Sequence, residues 1–339
     1  MISVLLYLIP MVLIIIWFIV FATMPRTPEA YRDFELPVNE TMVDDETMLT
    51  HEPQEDVISV KMNQTGDKVI LRSTGYYVND DFTFTGALNL PPAISDTHVA
   101  YVTEQGFTVD RIHGDKQRFH IDARLPLFAV FDGLSLYVTT LSEEKAGMVT
   151  RYECIDGSWV IYQLIERPHS TPLDSFGRHV TVTDRVMLVT DAISVHMFYR
   201  PSRADEWSRI KSIYPPVGSP LLFGSQTALT RNACYIASPY ETVDGMTYAG
   251  VVYVYSRLGG VWKLGEPMVS PFKQEEGRFG SSICVDGDLV WISDSRAAYA
   301  YRGDELVQTV SGETEVYGLG LAVRKGKIIL SGDRRTLVS

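Results

Sequence analysis

Residues 279–294 read Phe-Gly-Ser-Ser-Ile-Cys-Val-Asp-Gly-Asp-Leu-Val-Trp-Ile-Ser-Asp. An aromatic–glycine pair opens a short apolar run, an Asp-Gly turn follows, and a second, more apolar run comes next. Asp-Gly between two runs rich in β-branched and aromatic residues is typical of a tight hairpin, because Gly takes a positive φ without steric cost. The stretch therefore predicts two antiparallel strands.

The same aromatic–glycine punctuation recurs along the chain. The pairs, 47, 56 and 38 residues apart, are Phe176-Gly177, Phe223-Gly224, Phe279-Gly280 and the degenerate Tyr317-Gly318. After residue 57 no window shows convincing helical periodicity, and short apolar runs bounded by turn residues predict an all-β fold. One unit of this size cannot bury its own sheet, so we expect the units to pack around an axis as blades of a β-propeller. The aromatic–glycine pairs are then structural, with the aromatic ring buried between blades.

Two of these stretches are similar to a known repeat. Residues 279–294, and residues 249–262 with the sequence Ala-Gly-Val-Val-Tyr-Val-Tyr-Ser-Arg-Leu-Gly-Gly-Val-Trp, resemble the FG-GAP repeat of integrin-alpha-like β-propellers. The resemblance covers residues 174–310 and implies a propeller with an adhesive or ligand-binding role. Such blades often carry a calcium loop of the form D-x-[DN]-x-D-G. Asp286-Gly287-Asp288 and Asp80-Asp81 are incomplete versions of it, so we predict hairpin turns there and no bound metal.

The strand runs divide the remainder of the chain into seven units. Their approximate limits are 57–91, 92–125, 126–168, 171–215, 219–268, 272–310 and 314–339. The last unit has room for only two or three strands, and a segment near residues 34–48 is a candidate to complete it. Seven blades is the predicted count and six is the alternative.

The N-terminal region predicts a membrane anchor and a stalk. Residues 2–24 carry no charged side chain, and a helix of that length, about 35 Å, spans the hydrocarbon core of a bilayer. A cleaved signal peptide ending near Val20-Phe21-Ala22 is the alternative, disfavoured because no Lys or Arg precedes the apolar run. Residues 25–56 hold ten acids, two basic residues and four prolines, which is typical of an extended, solvated stalk. The propeller is assigned to residues 57–339.

The orientation in the membrane rests on two opposing signals. Arg26 and Arg32 follow the apolar segment and favour a cytoplasmic propeller. The glycosylation sequons at Asn39 and Asn63 favour the opposite side, because glycans are added in a secretory lumen. We expect a single-pass protein with an extracytoplasmic propeller.

The composition argues against nucleic acid as a partner, and the sequence contains few patterns that indicate catalysis or cofactor binding. The 339 residues include 30 Lys+Arg and 42 Asp+Glu, a net charge of −12, and no basic block, which argues against nucleic-acid binding. Cys154, Cys234 and Cys284 are too few for a disulfide framework and are expected to be buried thiols, although a bridge between Cys234 and Cys284 stays open. No catalytic or cofactor-binding motif is present.

One polar cluster stands out among the scattered histidines. His113 and His120, together with Asp122, flank a short polar loop. A metal site would need ligands from several strands to converge. We therefore interpret these residues as surface or strand histidines whose hydrogen bonds are satisfied.

Three functions are compatible with this sequence. The first is a membrane-anchored propeller that binds a protein or glycan through loops on one face, with Tyr240, Tyr248, Arg203 and Trp207 as candidate anchors. Trp207 is also predicted to be a packed blade residue, by its match to Trp262. The second is a carbohydrate-active enzyme with paired carboxylates at the axis. The third is an architectural subunit of a membrane-bound or virion assembly, which a large exposed apolar patch would favour.

Overall fold

The structure, a computed structural model, describes residues 40–42, 57–72, 75–84, 90–103, 106–114, 118–122, 126–141, 147–167, 175–216, 222–311, 317–332 and 336–338. These residues form 29 strands in seven sheets, numbered here in chain order. Strand β1 (Glu40–Met42) comes first. Sheet 1 contains β2 (Val57–Met62), β3 (Lys68–Arg72), β4 (Gly75–Val78) and β5 (Asp81–Phe84). Sheet 2 contains β6 (Ala93–Ile94), β7 (His98–Thr103), β8 (Gly106–Arg111) and β9 (Arg118–Asp122).

The next three sheets lie in the part of the chain that carries the FG-GAP resemblance and just before it. Sheet 3 contains β10 (Pro126–Asp132), β11 (Ser135–Thr140), β12 (Met148–Ile155) and β13 (Ser158–Glu166). Sheet 4 contains β14 (Val180–Val182), β15 (Val186–Thr190), β16 (Val195–Tyr199) and β17 (Ser208–Ile213). Sheet 5 contains β18 (Thr227–Leu229), β19 (Ala233–Ser238), β20 (Val251–Leu258), β21 (Val261–Leu264) and β22 (Met268–Val269).

The last two sheets differ in completeness. Sheet 6 contains β23 (Ser282–Asp286), β24 (Leu289–Ser293), β25 (Ala297–Arg302) and β26 (Glu305–Ser311), with β1 added outside β26. Sheet 7 contains β27 (Tyr317–Arg324), β28 (Lys327–Gly332) and β29 (Thr336–Val338). Six sheets of the described chain therefore have the four or more strands of a propeller blade, whereas the chain end forms three strands only. The predicted propeller is confirmed, but a complete seventh blade is not.

The predicted role of residues 34–48 is wrong. Glu40–Met42 do not complete sheet 7 but run parallel to β26, with Thr41 opposite Val310, and so extend sheet 6 at its outer edge. The outer edge of β26 offers unpaired backbone groups, and pairing them removes an exposed strand edge.

The ring is held by apolar packing between the faces of neighbouring sheets. Each buried cluster joins two successive sheets, from sheets 1 and 2 through to sheets 6 and 7. A further cluster packs Val60 and Ile70 of sheet 1 against Ala322 and Ile329 of sheet 7, which closes the ring. The alternating pattern of the strands gives each sheet two apolar faces, and only a closed ring buries both.

The aromatic–glycine pairs lie at the entry of sheets 4, 5 and 6. Their phenylalanines, Phe176, Phe223 and Phe279, are buried in the clusters between sheets. Gly177, Gly224 and Gly280 have positive φ, and so do the residues before each Phe, which are Ser175, Leu222 and Arg278. The residues on both sides of each Phe therefore adopt the left-handed backbone conformation, and the ring is placed in the apolar cluster between two sheets. For Tyr317-Gly318 the structure describes the backbone, which opens β27.

Replacing Gly224 with Ala is expected to cost about 2 kcal/mol or more of unfolding free energy. A side chain at φ 79° costs about 1 kcal/mol, and the new Cβ would lie 2.8 Å from Val195 Cγ2. Gly287→Ala is the matched control, because φ is 64° there but nothing lies within 4 Å of the new atom. Chemical denaturation of both variants measures the difference. Equal losses would show that the close approach at Gly224 has no energetic effect.

Two buried arginines fasten sheet 4 to sheet 3. Arg200 is fully buried, pairs with Asp132 at 2.7 Å and donates to the Tyr137 hydroxyl at 3.1 Å. Arg151 is also buried, and its guanidinium donates to the carbonyls of Asp205 and Arg203. The 200–207 connection of sheet 4 is thereby fixed to strands of sheet 3. Because these charges are removed from water, they depend on their partners.

Arg200→Met is expected to lower the unfolding free energy by about 3 kcal/mol, because it leaves the Asp132 carboxylate without its buried partner and removes one of the two donors to the Tyr137 hydroxyl. Arg203 pairs with the same Asp132 at 2.9 Å but is 53% exposed. Arg203→Met should cost less than about 1 kcal/mol, as exposed pairs do. Urea titrations compare the two. A larger loss for Arg203→Met would contradict the role assigned to burial.

The N-terminal predictions lie outside the described residues. This applies to residues 2–24, the predicted anchor, and to residues 25–39 and 43–56 of the predicted stalk. Within the part of the chain that the structure describes, no helix has the length and apolarity needed to cross a bilayer.

Candidate functional site

Strand order divides the connections between two faces of the propeller. In each antiparallel sheet the turns after the first and third strands lie at one end, and those after the second and fourth lie at the other. We call the first end the turn face; in sheets 3 to 6 it includes residues 133–134, 183–185, 200–207 and 287–288. The second end is the loop face; it includes residues 191–194, 239–250, 270–281 and 294–296.

One of the two longest described loops of the loop face, residues 239–250, carries an aromatic pair. The rings of Tyr240 and Tyr248 meet edge to face with centroids 5.6 Å apart, and the Arg278 guanidinium lies 5.6 Å from the Tyr240 ring centroid. Tyr248 is 39% exposed, whereas burial raises the pKa of Tyr240. An aromatic pair capped by Arg offers a rigid surface for an apolar, sugar or peptide group.

Backbone hydrogen bonds fix this loop to the segment that enters sheet 6. The Arg278 amide donates to the Tyr248 carbonyl at 2.8 Å and the Phe279 amide donates to the Ala249 carbonyl at 2.9 Å. The Tyr253 hydroxyl donates to Glu241 at 2.6 Å from inside sheet 5, and Lys273 pairs with Asp244. The aromatic pair is therefore held by both sheets.

The four predicted anchors separate between the two faces. Tyr240 and Tyr248 come together on the loop face, but Arg203 and Trp207 lie in the 200–207 connection of the turn face. Trp207 is 4% exposed, and its Nε1 donates to the Tyr137 hydroxyl at 3.0 Å, so the structure supports its interpretation as a packed blade residue. Arg203 binds Asp132 and Asp184.

Two aspartates that the sequence analysis missed anchor turns of the loop face. Asp191 and Asp294 each lie 14 residues after the glycine of an aromatic–glycine pair, an offset readable from the sequence. One carboxylate oxygen of each accepts two backbone N–H groups of its own turn. The other oxygen differs in its partners. In Asp191 it contacts His196 and Arg167, both at 2.8 Å, and in Asp294 it accepts from Ser270 and Tyr299, also at 2.8 Å.

The two carboxyl pKa values are shifted in opposite directions. Burial alone would raise both. Hydrogen bonds, from His196 first, overcome it and lower the pKa of Asp191, whereas burial dominates and raises the pKa of Asp294. His196 also contacts Ser212 at 2.9 Å, which gives an Asp–His–Ser series. Asp191 and His196 are both buried, so the series anchors the turn and has no exposed base for a substrate.

Asp191→Asn is expected to cost about 3 kcal/mol at pH 7, because it leaves His196 and Arg167 facing a neutral amide. Asp294→Asn should cost less than about 1 kcal/mol, since it removes a carboxylate whose ionised form is disfavoured by burial. Urea unfolding at several pH values measures both.

The pH dependence has opposite signs in the two variants. A lowered pKa means that Asp191 stabilises the fold above the unfolded carboxyl pKa of about 3.9 and loses that effect as the pH falls. The deficit of Asp191→Asn should therefore shrink on acidification. The raised pKa of Asp294 means that its contribution to stability is lost as the pH rises. The stability of Asp294→Asn relative to wild type should therefore increase with pH. Parallel pH profiles would contradict the assignment.

A second cluster lies at the axis. The first strands of the sheets, β2, β6, β10, β14, β18, β23 and β27, contact one another in turn and surround it. Lys61 on β2 acts electrostatically on both His179, before β14, and Cys284, on β23. Sheets 4 and 6 are three and two places from sheet 1, so Lys61 reaches both only across the axis.

Hydroxyl groups complete this cluster. His179 Nε2 lies 3.2 Å from Thr181 Oγ1, and the Thr181 hydroxyl donates to the Thr227 carbonyl at 2.8 Å. Burial, with Lys61 second, lowers the pKa of His179 to about 3, so the imidazole is neutral at physiological pH. Burial also raises the pKa of the Cys284 thiol to about 12, so it is not a reactive thiolate.

The first strands that the structure describes carry no pair of acids such as a glycosidase requires. Among the described first strands the acids are Asp132 and Asp286, each the last residue of its strand, at the turn face. Asp132 is held by Arg200 and Arg203, and Asp286 accepts from the Gly326 amide at 3.3 Å. Neither faces a partner carboxylate in the manner of a hydrolytic pair.

The remaining predicted polar residues do not converge. His113 contacts Asp67 at 3.1 Å, whereas His120 contacts Asp122 at 3.1 Å, so they form two separate pairs. Asp288 pairs with Arg302 and Asp80 with Lys68, as expected for solvated turns. Within the described residues no group of three or more His, Cys, Asp or Glu side chains is placed to hold a metal.

The thiols and the sequons were also located. Cys154, Cys234 and Cys284 are free, so the bridge between Cys234 and Cys284 is not formed.

Asn63 is 4% exposed, and its Nδ2 donates to Asp67 and to the Ser95 carbonyl, both at 3.0 Å. A glycan on Nδ2 would break both bonds, so this fold disfavours glycosylation there. Asn39 lies outside the described residues.

Comparisons with known proteins support the fold. No family model and no curated protein matches the chain. Two structures of the extracellular domain of B. thetaiotaomicron BT4673, described as a one component and as a hybrid two component system, are similar with TM-scores of 0.56 and 0.57. Identity is 16% in both, over 84% and 86% of this chain but only 38% and 39% of those chains. The N-terminal domain of Nup159 matches at 10% identity over 85% of this chain and 90% of that one, with a TM-score of 0.47.

The sheet topology and the BT4673 comparison define a β-propeller protein. The finer resemblance to FG-GAP repeats is not confirmed by a family model, although the aromatic–glycine pairs have the structural role that it implies.

Proposed function

We propose that the protein is a membrane-anchored binding module, with residues 2–24 as its anchor and its ligand, a protein or a glycan, held on the loop face. A propeller presents such loops on a rigid ring, so a binding surface forms there without altering the core. The similarity to a domain described as extracellular supports an extracytoplasmic propeller.

The observation that carries the proposal is the Tyr240–Tyr248 pair with Arg278. Tyr and Arg dominate binding hot spots because they bury a large surface at low entropic cost. Here the loop that carries both rings is fixed by backbone hydrogen bonds to the segment that enters sheet 6, so little ordering is needed when a ligand binds. The turn face offers no equivalent at Arg203 and Trp207, whose polar groups are bound within the protein.

A second candidate, an architectural subunit, is favoured by the outer strands of sheets 3, 4 and 5. Large apolar side chains are exposed on three consecutive sheets, at Val160, Ile161, Leu164, Ile210, Leu258, Val261 and Leu264. Exposed apolar surface of this extent is typical of a permanent protein contact. It lies at the rim and away from the loop face, so the two functions are separable by mutation.

Tyr248→Ala is expected to weaken ligand binding at least about tenfold, as loss of an aromatic hot spot does. The test applies the full chain, in detergent, to a glycan array and to immobilised cell-surface proteins. Leu134→Ala, at an exposed site on the turn face, is the control and should bind as wild type.

Three outcomes separate the alternatives. Loss in Tyr248→Ala alone supports the loop face. Loss in an Ile161→Lys, Leu164→Lys double variant with Tyr248→Ala unchanged supports the architectural role. Glycoside hydrolysis without binding would overturn both. Digestion of intact cells with external protease should cleave the propeller, and full protection would contradict the orientation.

A further inference from the structure

The outer strands of sheets 4 and 5 carry basic side chains among exposed apolar ones. We call residues 208–213 and 257–264 the basic rim; they contain four basic residues and no acid, in a chain with 42 acids and 30 basic residues. The four basic side chains are all exposed, namely Arg209, Lys211, Arg257 and Lys263. Four apolar side chains among them are half exposed or more, namely Ile210, Leu258, Val261 and Leu264.

The fold joins the two strands into one surface. Sheets 4 and 5 are neighbours and share a buried apolar cluster. The Lys211 ammonium group, on sheet 4, lies 5.7 Å from the ring centroid of Tyr255 in sheet 5. Trp262, in the middle of β21, is buried in the shared cluster and fixes this outer strand against sheet 4. The basic and apolar side chains of both strands are therefore presented together on a rigid base.

Charge distinguishes the basic rim from the outer strand of sheet 3. β13 also exposes apolar side chains, but Ser158–Glu166 contains no Lys or Arg and ends in an acid. An exposed apolar surface alone is typical of a protein contact. Apolar side chains interleaved with Lys and Arg fit an anionic lipid surface, because the apolar groups enter the headgroup region while the cations contact lipid phosphates.

The chain enters the propeller next to the basic rim. β1 pairs with β26, the outer strand of sheet 6, and sheet 6 packs against sheet 5. Because β1 is parallel to β26, which begins at the turn face, the residues before Glu40 arrive from that side. The turn between β20 and β21 lies at the same end of sheet 5. Residues 25–39, fifteen residues that span at most about 50 Å, separate β1 from the proposed anchor, so an anchor there keeps the basic rim within reach of the bilayer.

We propose that the basic rim binds the surface of a bilayer that contains anionic lipids. Its apolar side chains enter the headgroup region, and its four cations contact the lipid phosphates. The propeller then rests on the corner between its rim and its turn face, and the loop face points away from the bilayer, open to the ligand proposed there. The inference rests on the proposed anchor but not on the proposed side of the membrane, because the same surface would meet either leaflet.

The test reconstitutes the full chain into phosphatidylcholine vesicles with and without phosphatidylglycerol. An environment-sensitive fluorophore is attached to Leu258→Cys, and wild type treated with the same reagent gives the background from the native thiols. With phosphatidylglycerol the emission should shift to the blue and resist an aqueous quencher, and sodium chloride should reverse both effects by screening. Ile193→Cys, at an exposed position of the loop face, is the control probe and should stay in water.

Reversal of two charges tests the basic residues directly. One basic side chain near an anionic surface strengthens the attraction about fivefold. Lys211→Glu combined with Lys263→Glu should therefore lower the ratio of docked to undocked probe at least about twentyfold. Lys325→Glu combined with Lys327→Glu is the matched control, because it changes the net charge equally at exposed sites near the inner strands of sheet 7 and should leave the ratio unchanged. Thermal unfolding of each variant shows that the fold is retained.

The outcomes separate this inference from the proposed anchor. Flotation of the chain with phosphatidylcholine vesicles reports the anchor, whereas a probe response that needs phosphatidylglycerol reports the basic rim. Flotation with no probe response in either vesicle would overturn the inference and leave the anchor intact, and flotation with phosphatidylglycerol alone would support the rim and contradict the anchor. An equal response in both vesicles, or one unchanged by the double reversal, would indicate an apolar contact that does not depend on charge and would contradict the proposal.

Discussion

The structure depends on one constraint: each sheet has two apolar faces and needs a neighbour on both. Every buried cluster therefore joins two successive sheets, and no sheet has a core of its own. The contact of Val60 and Ile70 with Ala322 and Ile329 is the contact that turns a row of sheets into a ring. It also makes the three strands of sheet 7 sufficient, because closure uses side chains from the first and second strands and needs no outer strand.

Within this frame, equivalent positions keep their geometry and change their chemistry. Asp191 and Asp294 accept the same two backbone N–H groups in the same turn. Hydrogen bonds, from His196 first, keep the first carboxyl charged. At the second, burial outweighs the hydrogen bonds from Ser270 and Tyr299 and favours the neutral acid. The repeat thus supplies the same turn at both positions, and the surroundings of each carboxyl set its charge.

The sequence predicted what is local and periodic. The strands, the propeller and the buried phenylalanines follow from aromatic–glycine pairs and turn residues a few positions apart. The offset of 14 residues to Asp191 and Asp294 was equally available. Two features were not: the pairing of Glu40–Met42 with β26, and the ion pair of the buried Arg200 with Asp132. Each joins residues far apart in the chain, whose distance in space has no fixed relation to their spacing. Tyr240 and Tyr248 were candidates because of their residue types, and their edge-to-face contact was not predicted.

The attachment of β1 has a mechanical consequence. A load applied from the N-terminal side meets Glu40–Met42 first, where three residues pair with the outer edge of sheet 6. This short parallel ladder lies outside the contact that closes the ring. Its rupture would therefore expose the outer edge of β26 without opening any of the apolar interfaces between sheets.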